Sequence, residues 1–229
     1  MSMASTTMAI YRSSIGKKAV MAITGIIGYG FVLGHMVGNL KIFLGEAEFN
    51  NYAAFLRTIG EPLVPERVLL WIIRIVLLAA VALHVTMAIQ LSRQELAARP
   101  VAYREKKRMQ ASFASLTLRW GGLAIFLFII YHLAHFTFGV GIANFRGHES
   151  AYQNVVYGFS NPINVALYLA AVFAVAMHLY HGVWSMFQTL GLNGTRTNGL
   201  WRGLAMISAF VTFFGFALVP IAVLAGIVR

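Results

Sequence analysis

The sequence predicts an all-α integral membrane protein with five transmembrane helices, the first four forming a cofactor-binding bundle. Three observations lead there. The chain has 229 residues, 59% of them hydrophobic and 11% charged, which is too apolar for a soluble domain. Five apolar runs recur, each of the roughly 20 residues needed to cross about 30 Å of hydrocarbon. Lysine and arginine alternate in abundance between successive connections, as topology requires of a multi-pass chain.

The expected spans are residues 19–44, 68–91, 116–139, 163–190 and 203–228. Runs this long without alternation are helices, because only helices or closed barrels satisfy the backbone in lipid. The polar stretch 1–7 lacks the charged start and small-residue cleavage site of a signal peptide, so the first span is expected to be retained. Glu61-Pro62-Leu63-Val64-Pro65 precedes the second span, since proline breaks or begins helices. The charged run 102–109 in the second connection is expected to extend helices beyond the membrane and to offer a cytoplasmic contact. Asn161-Pro162 opens the fourth span, and the Gly/Asn/Thr-rich stretch 191–199 turns into the fifth. No composition shift marks a second domain, so residues 1–229 read as one membrane domain.

Charge gives the orientation. Arg12, Lys17, Lys18, Arg93, Arg99, Arg104, Lys106, Lys107, Arg108, Arg119, Arg196 and Arg202 fall on one face. Lys41, Arg57, Arg67, Arg146 and Arg229 fall on the other, with Glu46, Glu48, Glu61, Glu66 and Glu149. The positive-inside rule then places the N-terminus in the cytoplasm and the C-terminus outside a cytoplasmic (inner) membrane. The net charge of +11 is thereby a topology signal, and no nucleic acid partner is expected. The sequence contains no cysteine. Disulfides, thiolate-bound zinc, cysteine-held iron–sulfur clusters and thioether-linked haem are therefore excluded within this chain.

Histidine carries the chemistry. His35, His84, the doublet His132/His135 and the doublet His178/His181 occupy four successive spans; taking His132 and His178, the steps are 49, 48 and 46 residues. Ionisable side chains inside a bilayer are costly and mark function, and the most economical function is axial ligation of haem iron. At 1.5 Å per residue, His35 lies roughly 6 Å to the outer side of mid-span and His84 roughly 7 Å to the inner side. The third-span doublet is in the outer half and the fourth-span doublet in the inner half. Depth therefore pairs His35 with His132 or His135, and His84 with His178 or His181, on two levels roughly 10–15 Å apart. Two haems clamped between facing helices of one bundle use all four positions.

The alternatives are specific. One membrane histidine is commonly a bundle-interior hydrogen bonder; four sorted onto two levels are not so explained. A proton relay would bring Asp or Glu into the spans, and these contain none. Copper or zinc would gather its ligands on one level. Within each doublet, one ring would ligate and the other meet a propionate, a quinone or a backbone carbonyl. Gly28, Gly30, Gly34, Gly38, Ala79, Ala80 and Gly182 either make room for a macrocycle or let helices pack closely. Arg74, inside the second span, would pair with a propionate or a quinone carbonyl, or snorkel to the interface. Lys41, Arg12, Lys17 and Lys18 read as interface anchors, and His148 as a solvated loop residue.

The motifs then take a family shape. Ser13-Ser14-Ile15-Gly16-Lys17-Lys18 leads into Thr24-Gly25 and His35-Met36-Val37-Gly38-Asn39-Leu40. Gly60-Glu61-Pro62-Leu63, His132-Leu133-Ala134-His135-Phe136 and the stretch from His178-Leu179-Tyr180-His181-Gly182 to Gln188 follow. From Ser13 to the last span, this resembles the five-helix, di-haem cytochrome b subunit of succinate dehydrogenases and fumarate reductases. The resemblance implies a membrane anchor for a flavoprotein carrying FAD and an iron–sulfur subunit, and a higher oligomer of the complex. It implies electron passage through two haems b to or from a quinone, typically menaquinone; succinate itself is oxidised in the flavoprotein. It assigns His84 and His178 to the inner haem, with His178 preceding Gly182 by four, and His35 and His132 to the outer one. It places Glu61 or Glu66 at the quinone site. The competing reading is the di-haem anchor of another quinone-linked dehydrogenase, such as hydrogenase or formate dehydrogenase.

Overall fold

A computed structural model describes residues 13–98 and 113–229, with side chains described from Leu118 onward in the second stretch. The charged run 102–109, residues 1–7 and Arg12 lie outside the described residues. Seven α-helices are described: α1 (Ser14–Leu40), α2 (Glu46–Thr58), α3 (Val68–Ala97), α4 (Phe113–Phe138), α5 (Ala151–Phe159), α6 (Pro162–Thr189) and α7 (Asn198–Leu224). Five have the length and hydropathy of membrane spans: Ser14–Leu44, Val68–Ala97, Leu118–Phe138, Pro162–Thr189 and Asn198–Leu224. The expected all-α membrane fold is the observed one.

Each boundary has a local cause. Ser13 starts α1 by accepting from the Gly16 amide at 3.0 Å, satisfying one of the helix's orphan donors. A 3₁₀ turn (Lys41–Leu44) extends α1 and stops at Gly45, whose φ of 100° no β-carbon residue adopts cheaply. Asn161 caps α6 by accepting from the Ile163 amide at 2.9 Å, with proline in the first turn. Gly139, at φ 72°, ends α4.

The first difference from expectation is that two connections are helical. Both α2 and α5 are short, and they meet on one end of the bundle. Asn50 Nδ2 donates to Ser150 Oγ at 3.3 Å, the Ser150 hydroxyl donates to Glu46 Oε1 at 3.2 Å, and the Tyr152 amide donates to Asn50 Oδ1 at 3.0 Å. The Tyr152 hydroxyl donates to the Arg229 carbonyl at 3.3 Å. The first and third connections and the C-terminus thus share one end, as the parity of five antiparallel spans demands. A core of Ile42, Phe49, Tyr152, Phe159, Val165, Tyr168, Val219 and Val223 is packed there. We call it the platform end; it is the side that the charge bias places outside.

Ser150 supports this platform twice, as the cap of α5, accepting from the Gln153 amide at 3.1 Å, and as the bridge to α2. Ser150→Ala is expected to cost about 0.5–2 kcal/mol, the range of a lost N-cap. A lower unfolding midpoint in detergent checks this, and an unchanged midpoint contradicts it.

The second difference concerns the fifth span. Among the described residues α6 and α7 share the most extensive helix interface, and α7 also packs on α1. The Tyr29 hydroxyl donates to Ser208 Oγ at 2.6 Å, and the Phe216 ring lies 5.8 Å from that of His35. It also starts at Asn198 rather than 203 and ends at Leu224 rather than 228. The other close helix pairs are α1 with α3 and α4 with α6.

Candidate functional site

The intramembrane histidines form two facing pairs. The ring centres of His35 on α1 and His132 on α4 are 5.8 Å apart at 78°. Those of His84 on α3 and His178 on α6 are 6.1 Å apart at 59°. His84 and His178 each lie 16 residues from the platform ends of their helices, Val68 and Pro162. His35 lies 5 residues before Leu40 and His132 lies 6 before Phe138. A difference of some ten residues separates the levels by about 15 Å.

The helix pairs that carry these rings, α1 with α4 and α3 with α6, are not among those that pack closely. Imidazole rings thus bridge gaps that the backbones leave open. A β-carbon added at Gly28, Gly30, Gly34 or Gly182 meets nothing within 4 Å. Gly38 differs: its β-carbon would meet the Tyr52 hydroxyl at 2.8 Å. Ala80 is buried and Ala79 is exposed. Of the small residues singled out, Gly38 and Ala80 therefore serve packing, and the four glycines border open space.

Hydrogen bonds orient the rings. The Thr24 hydroxyl donates to the Val20 carbonyl at 2.8 Å and lies 3.1 Å from His84 Nδ1. Its one hydrogen is committed to the helix backbone, so toward His84 the oxygen accepts. His84 then carries its proton on Nδ1 and keeps the Nε2 lone pair free. A partner on the far nitrogen is the usual arrangement of a metal-ligating histidine. Among the described residues, neither His35 nor His178 has a hydrogen-bond partner, and His178 Nδ1 is buried. An orphaned buried polar group costs about 1–3 kcal/mol, which argues that the ring is kept there for another purpose.

The doublets divide. His135 is fully buried, with Nδ1 2.9 Å from the Tyr168 hydroxyl and Nε2 3.4 Å from Asn164 Nδ2. Both its nitrogens face polar side chains. His132 alone of the two faces His35. His181 lies edge-on to Trp184, with ring centres 6.4 Å apart, while His178 faces His84.

The other expected site residues are not brought to these pairs. Arg74 is exposed, its guanidinium 5.0 Å from the Trp71 ring. Glu66 pairs with its neighbour Arg67 at 2.9 Å, and Glu61 is exposed in the loop before α3. An open groove of about 410 Å³ at the platform end is lined by Lys41, Glu48, Asn51, Tyr52 and Phe55, without Glu61, Glu66 or Arg74. His148 is exposed, as expected, and Lys17 is buried rather than an exposed anchor. Thr24, Tyr168 and Asn164 are the residues that histidine spacing missed. Their signal was polarity inside apolar runs, with Asn164 and Tyr168 one helical turn apart on one face.

Comparison with protein families adds one finding. The model of the succinate dehydrogenase/fumarate reductase transmembrane subunit matches residues 99–219, more than half of the chain. The chain belongs to that family. No curated protein and no solved structure gives a further match. The matched stretch contains His132, His135, His178 and His181, whereas His35 and His84 precede it. Membership makes this chain a multi-pass membrane subunit of the succinate dehydrogenase/fumarate reductase kind. The hydrogenase and formate dehydrogenase reading loses its basis.

The residues fit haem, the cofactor such an anchor calls for. Imidazole nitrogens bind metals at about 2.0–2.1 Å, so one metal held between two such rings would put their centres about 6 Å apart. The two observed pairs, at 5.8 and 6.1 Å, match. Among the described residues, no three His, Cys, Asp or Glu side chains converge. Two nitrogens per site suit a metal whose remaining ligands come with its macrocycle.

Proposed function

We propose that this chain is the di-haem cytochrome b anchor that links the iron–sulfur subunit of a succinate:quinone oxidoreductase to a quinone, of the menaquinone class. The observation that carries the reading is the two facing imidazole pairs on two levels. His84 and His178 hold the inner haem; His35 and His132 hold the outer. Haem iron, when bound, supplies a one-electron couple. The protein's own work is to fix the four rings, to exclude water with apolar helices and to keep the ring-bearing helix pairs from packing together. Thr24 holds His84 in the tautomer that offers Nε2.

Residues 1–229 form one membrane domain in the cytoplasmic membrane, with the N-terminus inside, which the lysine and arginine bias supports. The flavoprotein and iron–sulfur subunits then dock on the cytoplasmic side. The quinone works nearer the platform end, where Arg74, Glu61 and Glu66 are the polar groups at hand. Succinate oxidation belongs to the flavoprotein partner, and the iron–sulfur clusters to the other, since this chain has no cysteine to hold them.

The test is spectroscopic. Succinate added to the intact membrane complex should reduce b-type haem, and the flavoprotein and iron–sulfur subunit should co-purify. A complex that hydrogen or formate reduces and succinate does not contradicts the proposal.

A further inference from the structure

Tyr168 stands between two histidines of α4. Its hydroxyl is 3.2 Å from His132 Nδ1 and 2.9 Å from His135 Nδ1. A hydroxyl has one hydrogen, so it donates to at most one of the two rings. Asn164 bounds the choice. The Tyr131 hydroxyl donates to Asn164 Oδ1 at 3.1 Å, and Asn164 Nδ2 donates to the Gly158 carbonyl at 2.9 Å. Both ends of the amide are thereby assigned. Its second N–H points at His135 Nε2, but at 3.4 Å, the longest contact in the chain of bonds.

Two polarities use that hydrogen between the rings. In one, Asn164 donates to His135 Nε2, His135 Nδ1–H donates to Tyr168, and Tyr168 donates to His132 Nδ1. His132 then holds its proton on Nε2 and cannot ligate there. In the other, His132 Nδ1–H donates to Tyr168, Tyr168 donates to His135 Nδ1, and His135 carries its proton on Nε2. That second polarity frees His132 Nε2, and it gives up only the 3.4 Å contact. Proton number is unchanged between them: His132 loses one at Nε2 and gains one at Nδ1, and His135 does the reverse.

We propose that Tyr168, backed by His135, is the positioning residue of the outer haem: it holds His132 in the ligating tautomer and raises the basicity of that ligand. This deepens the proposed function and rests on His132 as an outer ligand. The inner ligand His84 has the simpler Thr24 acceptor, so the two centres differ in how their ligands are tuned. A ligand N–H that donates to a good acceptor gains electron density, which favours ferric iron and lowers the potential.

The experiment is a redox titration of the intact complex, read from the haem bands and from electron paramagnetic resonance. Tyr168→Phe should raise the potential of the outer centre, leave the inner one unmoved and keep both haems. An unmoved outer centre overturns the proposal. A second pair of variants guards against loss of the haem in Tyr168→Phe. His135→Leu leaves the Tyr168 hydrogen only His132 Nδ1 to meet, and should lower the outer haem content. Adding Tyr168→Phe to His135→Leu should restore it, since the competing donor is gone. A double variant no better than the single one overturns the proposal. If His132→Ala keeps both haems, the ligand assignment itself has failed; if it loses one while Tyr168→Phe changes nothing, only the role of Tyr168 has.

Discussion

His35→Ala or His132→Ala should remove one b-type centre from the complex and leave the other, while His84→Ala or His178→Ala should remove that other one. The expectation follows from facing rings at 5.8 and 6.1 Å, since alanine would delete one of the two imidazoles proposed to hold each haem. His181→Ala keeps both centres, because its ring faces Trp184 rather than a second imidazole. His135→Leu differs in kind from His132→Ala. It acts through Tyr168, so a second substitution rescues it, whereas nothing at Tyr168 rescues a missing ligand. Reduced-minus-oxidised spectra of the purified variants check the set. Loss of the same centre from His35→Ala and His84→Ala would break the pairing.

Gly215→Leu should destabilise the bundle and disturb the outer centre before the inner. A β-carbon at Gly215 would run into Met36 Sδ and lie 2.8 Å from Met36 Cγ. Met36 is buried and follows His35, and Phe216 touches the His35 ring. Overpacking a filled interface costs about 1–3 kcal/mol, here at the seam of α1 with α7. The expected readout is a lower unfolding midpoint in detergent, with the outer centre lost first on warming. A midpoint and spectrum like those of the parent protein would show that α7 does not hold α1 in place.

The five spans were legible because apolar length is a one-dimensional signal, and α1, α3, α4, α6 and α7 carry it without interruption. The platform helices were not. In α2, Glu46, Glu48 and Arg57 hide a helix that covers only the bundle's end, and the nine residues of α5 are too few to show a period. The place of α7 was equally silent. It is apolar on every face, and what seats it are the small residues Gly215 and Ser208 against Met36 and Tyr29.

At the site, spacing yielded the four helices and the two levels. It could not choose within His132/His135, because two rings three residues apart differ by a modest rotation about one helix axis. Rotation is set by neighbours: Tyr168 and Asn164 claim His135, and His35 claims His132. In the other doublet, His84 claims His178 and Trp184 takes His181. Thr24 stood in the family motif, but its role toward His84 was not legible, because a threonine in a membrane helix ordinarily bonds back to its own backbone. It does so here, and its oxygen serves His84 as well.

Two bis-histidine centres in one chain are tested most directly by the haem b content per chain in the complex purified from its native membrane. The prediction is two haems for each copy of this chain, resolved as two redox steps. A content of one, or none, would contradict it.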